Sequence, residues 1–249
     1  MPFGYPPDVY NTASAAEVVP VLLRALSPRS VVDFGCGNGA WLRVFKAHGI
    51  QEVVGIDSGG VSEADWLAGS GELQRRDVET AFSLGKRYDL VVALEVAEHL
   101  SQSHAEVFVS NLVGHGDVIL FSASLPGQEG QDHRNEQWPS YWVALFAQHG
   151  YQFYDLIRPV VWANPKVHWW YRQNTFVVSC RQFPRKAEML GAVHPGLYEM
   201  KLAEISRLRA RLESIEAGRC GIGYYGSILV RHLLRIPSWM TTKWRSRPE

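Results

Sequence analysis

The chain is poor in cysteine, has no long apolar run and carries no excess of either charge. Three cysteines, Cys36, Cys180 and Cys220, are scattered through 249 residues. An odd, dispersed set gives no disulfide framework and suits free thiols in a reducing cytoplasm. No stretch reaches the roughly 18 apolar residues of a membrane helix. The opening residues, MPFGYPPDVYNTAS, lack a basic segment followed by an apolar one, so no secretory signal is expected. Lys plus Arg and Asp plus Glu each number 25, a formal net charge of zero. That balance argues against a nucleic-acid partner, which needs a basic track. With 46% apolar and 20% charged residues, what remains is an ordinary globular chain, long enough for one sizeable α/β domain and an appendage.

Strand and helix signals alternate over residues 13–180. Apolar runs at 30–34, 52–57, 72–77, 88–95, 117–124, 151–157 and 174–180 read as strands, the third of them weak. Amphipathic stretches at 14–26, 40–49, 103–114 and 137–150 read as helices. This order predicts an α/β fold, a Rossmann-like, seven-stranded, mostly parallel sheet with helices on both faces. The last two strands flank an aromatic-rich loop at 158–173 and are candidates for an antiparallel closing pair. Composition changes after Pro184, which places one domain at 1–183 and a C-terminal helical and basic extension at 184–249.

Strand 30–34 opens into Gly35-Cys36-Gly37-Asn38-Gly39, a loop whose backbone can approach a ligand where side chains would collide. Gly35, Gly37 and Ala40 also satisfy the dinucleotide fingerprint, with Asp57 about twenty residues on. A nicotinamide-dependent oxidoreductase is therefore one reading. Asp33 just before the loop, the third glycine at 39, and Asp77-Val78 after the third strand point elsewhere. Together, VVDFGCGNG, GID and RRDVE resemble the motifs of class I S-adenosylmethionine-dependent methyltransferases over residues 13–180. The resemblance implies that Gly35, Gly37 and Gly39 shape the methionine and ribose pocket. It also implies that Asp57 takes the ribose hydroxyls and that Asp77, with Val78, meets the adenine. Asp33 has a loop-bracing role as its alternative.

LEVAEHL at 94–100 offers Glu95, Glu98 and His99. A helical turn after the fourth strand would converge positions i, i+3 and i+4 at the C-terminal edge of the sheet, where open α/β folds bind ligands. Two carboxylates and an imidazole suit a divalent ion, Mg²⁺ before others. E-x-x-E-H at this place is similar to metal-dependent O-methyltransferases, namely the catechol methylases of the ubiquinone pathway and the small-RNA 3′-end methyltransferases. The second group adds a later histidine, and His133 stands about ten residues beyond the fifth strand. The resemblance implies a metal set of Glu95, Glu98, His99 and His133, with Glu95 also lining the donor pocket. Without a metal, His133 is the leading general base, oriented by Glu136, although Glu136 is equally placed to cap the next helix.

Trp138, Tyr141, Trp142, Trp162, His168, Trp169, Trp170 and Tyr171 fall in segments that would roof such a site. HRNEQWPSYW with WANPKVHWWYRQN resembles bacterial methyltransferases of polysaccharide and glycolipid assembly. The expectation is an O-methyltransferase acting on a sugar hydroxyl of a small-molecule or oligosaccharide substrate. Catechol methylation, RNA 3′-end methylation and a non-catalytic cofactor-bound scaffold are the rivals. In the extension, Ile205, Leu208, Leu212 and Ile215 alternate by three and four, which suits either two heptads of coiled coil in a homo-oligomer or a helix packed on its own domain. Arg219, Arg231, Arg235, Lys243, Arg245 and Arg247 face only Glu249, a tail suited to an anionic membrane surface, a glycan-assembly partner or solvent. The expected location is the cytoplasm, with the membrane surface as a variant of it.

Overall fold

The computed structural model describes residue 6 and residues 9–59, 61, 62, 65–69 and 72–234. Seven strands, β1 (Ser30–Phe34), β2 (Glu52–Asp57), β3 (Leu73–Arg75), β4 (Leu90–Leu94), β5 (Val118–Ser122), β6 (Gln152–Tyr154) and β7 (Phe176–Ser179), form one sheet in the order β3-β2-β1-β4-β5-β7-β6. The first five pair in parallel, and β7 runs antiparallel to both β5 and β6. The expected closing pair is therefore present. β1 and β2 have the expected bounds, whereas the weak third strand shortens to three edge residues.

Alternate side chains of the strands feed two separate cores, the signature of a sheet covered on both faces. Val31, Leu90, Val92 and Leu120 pack with α1 (Ala13–Ala25) and α2 (Ala40–Ala47). Val32, Val91, Ile119 and Phe121 pack with α3 (Ala105–His115) and α4 (Pro139–Ala147). Trp142, Leu145 and Phe146 of α4 are buried, as their helical spacing requires. Parallel β1 and β4 sit centrally, so their C-terminal ends meet at the point where strand order reverses, and the ligand crevice of such sheets opens there. The aromatic-rich loop is not structureless: it folds as α5 (Arg158–Val161) and α6 (Trp169–Asn174).

Two compact units divide the chain, Met1–Leu197 and Tyr198–Glu249. The first continues past Pro184 because His194 and Leu197 are buried in it, and the His194 N–H donates to Gln173 Oε1 at 2.7 Å. In the second, most of α7 (Pro195–Glu216) leads to α8 (Ile222–Leu234), and Tyr225 donates its hydroxyl to the Ile215 carbonyl at 2.7 Å. Arg235, Lys243, Arg245 and Arg247 of the basic tail lie outside the described residues. Among the described residues no helix is long and apolar enough to cross a membrane. Cys36, Cys180 and Cys220 are free thiols.

Candidate active site

The glycine loop leaves β1 by folding back on β2. Gly35 and Cys36 donate their N–H groups to the Ile56 carbonyl at 2.7 and 3.1 Å. Gly35 has φ +72°, and a Cβ there would lie 2.4 Å from Cγ2 of Val96, so only glycine fits. Gly39, at φ +77°, is pressed in the same way against the Trp66 ring. Asp57 ends β2 and is clamped from both sides: its Oδ2 accepts Gly37 N–H and its Oδ1 accepts Gly59 N–H, each at 3.1 Å. An ionised carboxylate has about four acceptor positions, so two remain for a ligand. Asp33 is only 3% exposed within β1, and burial, then the charge of Asp57, push its carboxyl well above the usual range.

At the end of β4 the backbone takes an unusual course. Glu95 has φ 52°, a left-handed conformation that a non-glycine residue adopts only under constraint. Residues 95–100 then form a turn in which His99 N–H bonds the Val96 carbonyl, not the expected helical segment. The Glu95 carboxylate accepts hydrogen bonds from Ser124 Oγ at 3.1 Å, Gln128 Nε2 at 3.0 Å and Asn174 Nδ2 at 3.2 Å. Glu98 is fully buried; its Oε1 lies 2.8 Å from Ser124 Oγ, whose one proton is shared between Glu98 and Glu95, and no donor reaches its Oε2. Burial, then the neighbouring Glu95 charge, raises the Glu98 carboxyl well above the carboxylate range.

The peptide after β5 folds back under this turn. The N–H groups of Arg134 and Asn135 both donate to the Glu98 carbonyl, at 2.8 and 2.9 Å. This brings the ring of His133 to 4.9 Å from that of His99, edge to face. One ligand atom from each of Glu98, His99 and His133 lies within 4.8 Å of the others. Burial, then the charge of His133, lowers His99 to about 4, so its imidazole is neutral at pH 7. His133 Nδ1 meets Glu136 Oε1 at 2.8 Å, and Glu136 is itself fixed by Gly127 N–H at 2.7 Å and Glu129 N–H at 2.6 Å. Glu136 therefore braces its own loop, and it makes no cap bond to α4.

A family model described as a methyltransferase domain matches residues 10–158. The chain belongs to the methyltransferase domain family. No curated protein matches this methyltransferase by sequence. Among solved structures, small RNA methyltransferase HEN1 superposes with a TM-score of 0.52 at 18% identity, over 76% of this chain and 26% of that one. The SAM-bound amino pentose methyltransferase CalS10 from Micromonospora echinaspora, involved in calicheamicin biosynthesis, gives 0.49 at 18% identity, over 68% and 91%. Magnesium protoporphyrin IX methyltransferase from Synechocystis PCC 6803 with bound SAH gives 0.49 at 18%, over 67% and 81%. The fold is that of the class I, S-adenosylmethionine-dependent methyltransferases, as the glycine loop and its acidic partners implied.

The methyltransferase domain places the remaining expected residues unevenly. Glu95, expected with the metal set, stands outside the group of three because Ser124, Gln128 and Asn174 draw its carboxylate aside. Asp77 is exposed and braces its own turn, its Oδ1 accepting Glu79 N–H at 2.9 Å. Val78 is buried in the core beside Phe34 and Ile56. Of the expected roof, Trp142 is core, Trp138 is 48% exposed, and His168 stacks on Trp170 at 4.2 Å. Tyr171 of the expected roof and Tyr10, which is absent from the expected set, also gather here. Burial pushes the hydroxyls of Tyr10 and Tyr171 above the usual phenol range, and the charge of Glu95 adds to both. Asn38 ties Tyr10 to the glycine loop by donating to its carbonyl at 2.9 Å.

Proposed function

We propose that this methyltransferase moves the methyl group of S-adenosylmethionine to a sugar hydroxyl, with a divalent cation, Mg²⁺ first, held at Glu98, His99 and His133. The observation that carries the reading is the grouping of those three donors around a buried carboxylate oxygen with no hydrogen-bond partner. A buried carboxyl raised this far keeps its proton, and a cation bound there would displace that proton and take its place. When bound, such an ion chelates adjacent hydroxyls, lowers their pKa and fixes the attacking oxygen.

The protein's own groups supply the rest. Asp57, clamped by Gly37 and Gly59, offers its two open acceptor positions to the ribose hydroxyls, a charge-assisted contact. Asp57 and Glu95 give the crevice its negative side, which suits a cationic sulfonium donor. As the acceptor oxygen bonds to the methyl carbon, the carbon–sulfur bond breaks and the sulfonium becomes a neutral thioether. The hydroxyl proton leaves to a base. In a second, metal-free reading His133, whose Nδ1 meets Glu136, takes that proton, and the His133–Glu136 pair is the whole acid–base apparatus. Trp138, half exposed at the start of α4, is available to stack on the apolar face of a sugar.

The test is S-adenosylhomocysteine release over saccharides, catechols and a single-stranded RNA, each with Mg²⁺ and with EDTA. Saccharide turnover abolished by EDTA supports the chelated diol. Saccharide turnover indifferent to EDTA supports the histidine base alone. Turnover confined to catechol or RNA refutes the sugar acceptor.

A further inference from the structure

Among the described residues, the second unit presents an apolar seam that its own side chains leave largely exposed. Along α7, Ile205 is 43% exposed, Leu208 59% and Leu212 55%, with Ile215 half-buried below them. Their spacing is that of heptad positions a, d, a and d. A helix whose seam packed on its own unit would hide these side chains, since burying each isobutyl or sec-butyl group stabilises by about 1.5–3 kcal/mol.

The flanking charges say what covers the seam. With Ile205 and Leu212 at a, Glu204 and Arg211 occupy g, and Arg209 and Glu216 occupy e. In a parallel, in-register pair of helices each g residue faces the e residue five positions on in the other helix. Glu204 then meets Arg209, and Arg211 meets Glu216, so both pairs on both sides are of opposite sign. Within the helix, Glu204 pairs locally with Lys201 at 3.0 Å. Ile205 at a with Leu208 at d is the two-strand combination, whereas Leu212 at a with Ile215 at d favours more strands, so it is the charges rather than the core that favour a pair.

We infer that α7 of one chain pairs in parallel with α7 of a second copy, through residues 204–216, to form a two-stranded coiled coil. The inference is independent of the acceptor.

Sedimentation equilibrium on the full chain tests it, with far-UV circular dichroism and S-adenosylhomocysteine binding as checks that each variant is folded. Wild type is expected as a dimer at micromolar concentration, and Leu208→Glu as a monomer with donor binding unchanged. Glu204→Arg creates two like-charge contacts and raises the dimer dissociation constant about tenfold. Adding Arg209→Glu restores it, which an antiparallel pair or a nonspecific apolar contact would not do. A wild-type monomer at tens of micromolar overturns the inference, as does a trimer or failure of the double reversal to rescue. A monomer that pelletes with phosphatidylglycerol vesicles, and loses that through Leu208→Glu, overturns it in favour of a membrane surface.

Discussion

Gly35→Ala probes how the donor loop is held against the turn after β4. The new methyl meets two separate obstacles. At φ +72° an alanine is strained by about 1–2 kcal/mol relative to glycine. Its Cβ also falls 2.4 and 2.7 Å from the two γ-methyls of Val96, a β-branched side chain with little rotamer freedom to retreat. Overpacking of this kind costs about 1–3 kcal/mol. The single variant should therefore lose about 2–5 kcal/mol in urea unfolding. Val96→Ala alone removes two methyl groups from a side chain 8% exposed, a loss of roughly 2 kcal/mol. In the double variant the alanine at 35 occupies the space vacated at 96. The two losses should then fall short of additivity by about 1–3 kcal/mol, while the backbone strain remains. Donor affinity, read by calorimetry with S-adenosylhomocysteine, should recover only in part. A Gly35→Ala variant within 0.5 kcal/mol of wild type, by the ~0.5 kcal/mol limit of additivity, would refute the packing argument, and so would strict additivity.

Asp57→Ala removes the carboxylate that joins Gly37 to Gly59 and should weaken S-adenosylhomocysteine binding about 30- to 100-fold in calorimetry, the worth of one charge-assisted contact; a change under threefold counts against its ribose role. Asp33 is held above its ordinary range when folded, so the folded state keeps a proton that the unfolded chain releases above about pH 4. Stability from this group therefore falls as pH rises through the window between the two values, by up to about 1.4 kcal/mol per unit. Asp33→Asn should gain on wild type in urea midpoints between pH 5 and 8, and parallel curves would contradict the burial argument. Glu136→Ala frees His133 and two backbone N–H groups together. It should lower kcat at least tenfold, by about 1.4 kcal/mol or more of barrier, whereas mere loosening of the loop would raise KM alone.

Much of this could be read from residue order because strong local signals carry it. β1 and β2 are apolar runs ended by a glycine loop and by Asp57, so their bounds were plain. β3 was overestimated because an edge strand needs only its inner face paired, and ELQRRD has no apolar run to mark where pairing stops. Residues 158–173 looked like a loop because two short helices, α5 and α6, show too few turns for a period to register. Glu98, His99 and His133 were visible as residue types suited to one ion. The donors that steer Glu95 were not: Ser124 and Gln128 after β5 and Asn174 of α6 are neutral, come from two segments remote from Glu95 in sequence, and meet only once the sheet is formed. Nor does a glutamate advertise a left-handed turn, which is imposed at Glu95 by the hydrogen bonds its N–H gives to Ser122.

The insertion of β7 between β5 and β6 gives the chain a temporal problem during synthesis. β6 emerges from the ribosome some twenty residues before β7, and among the described residues its partners, β7 and the later bridge at Lys186, both follow it in the chain. Until Phe176–Ser179 appears, β5 keeps a bare antiparallel edge and β6 has nothing to pair with. Nascent chains stalled before residue 176 therefore expose two unpaired strand edges flanked by aromatic residues, the form most open to edge-to-edge association. The glycine loop and Asp57 belong to the half of the sheet that is complete by then. The donor side of the enzyme can thus assemble early, while the Asn174 bond that settles Glu95 is among the last contacts to form.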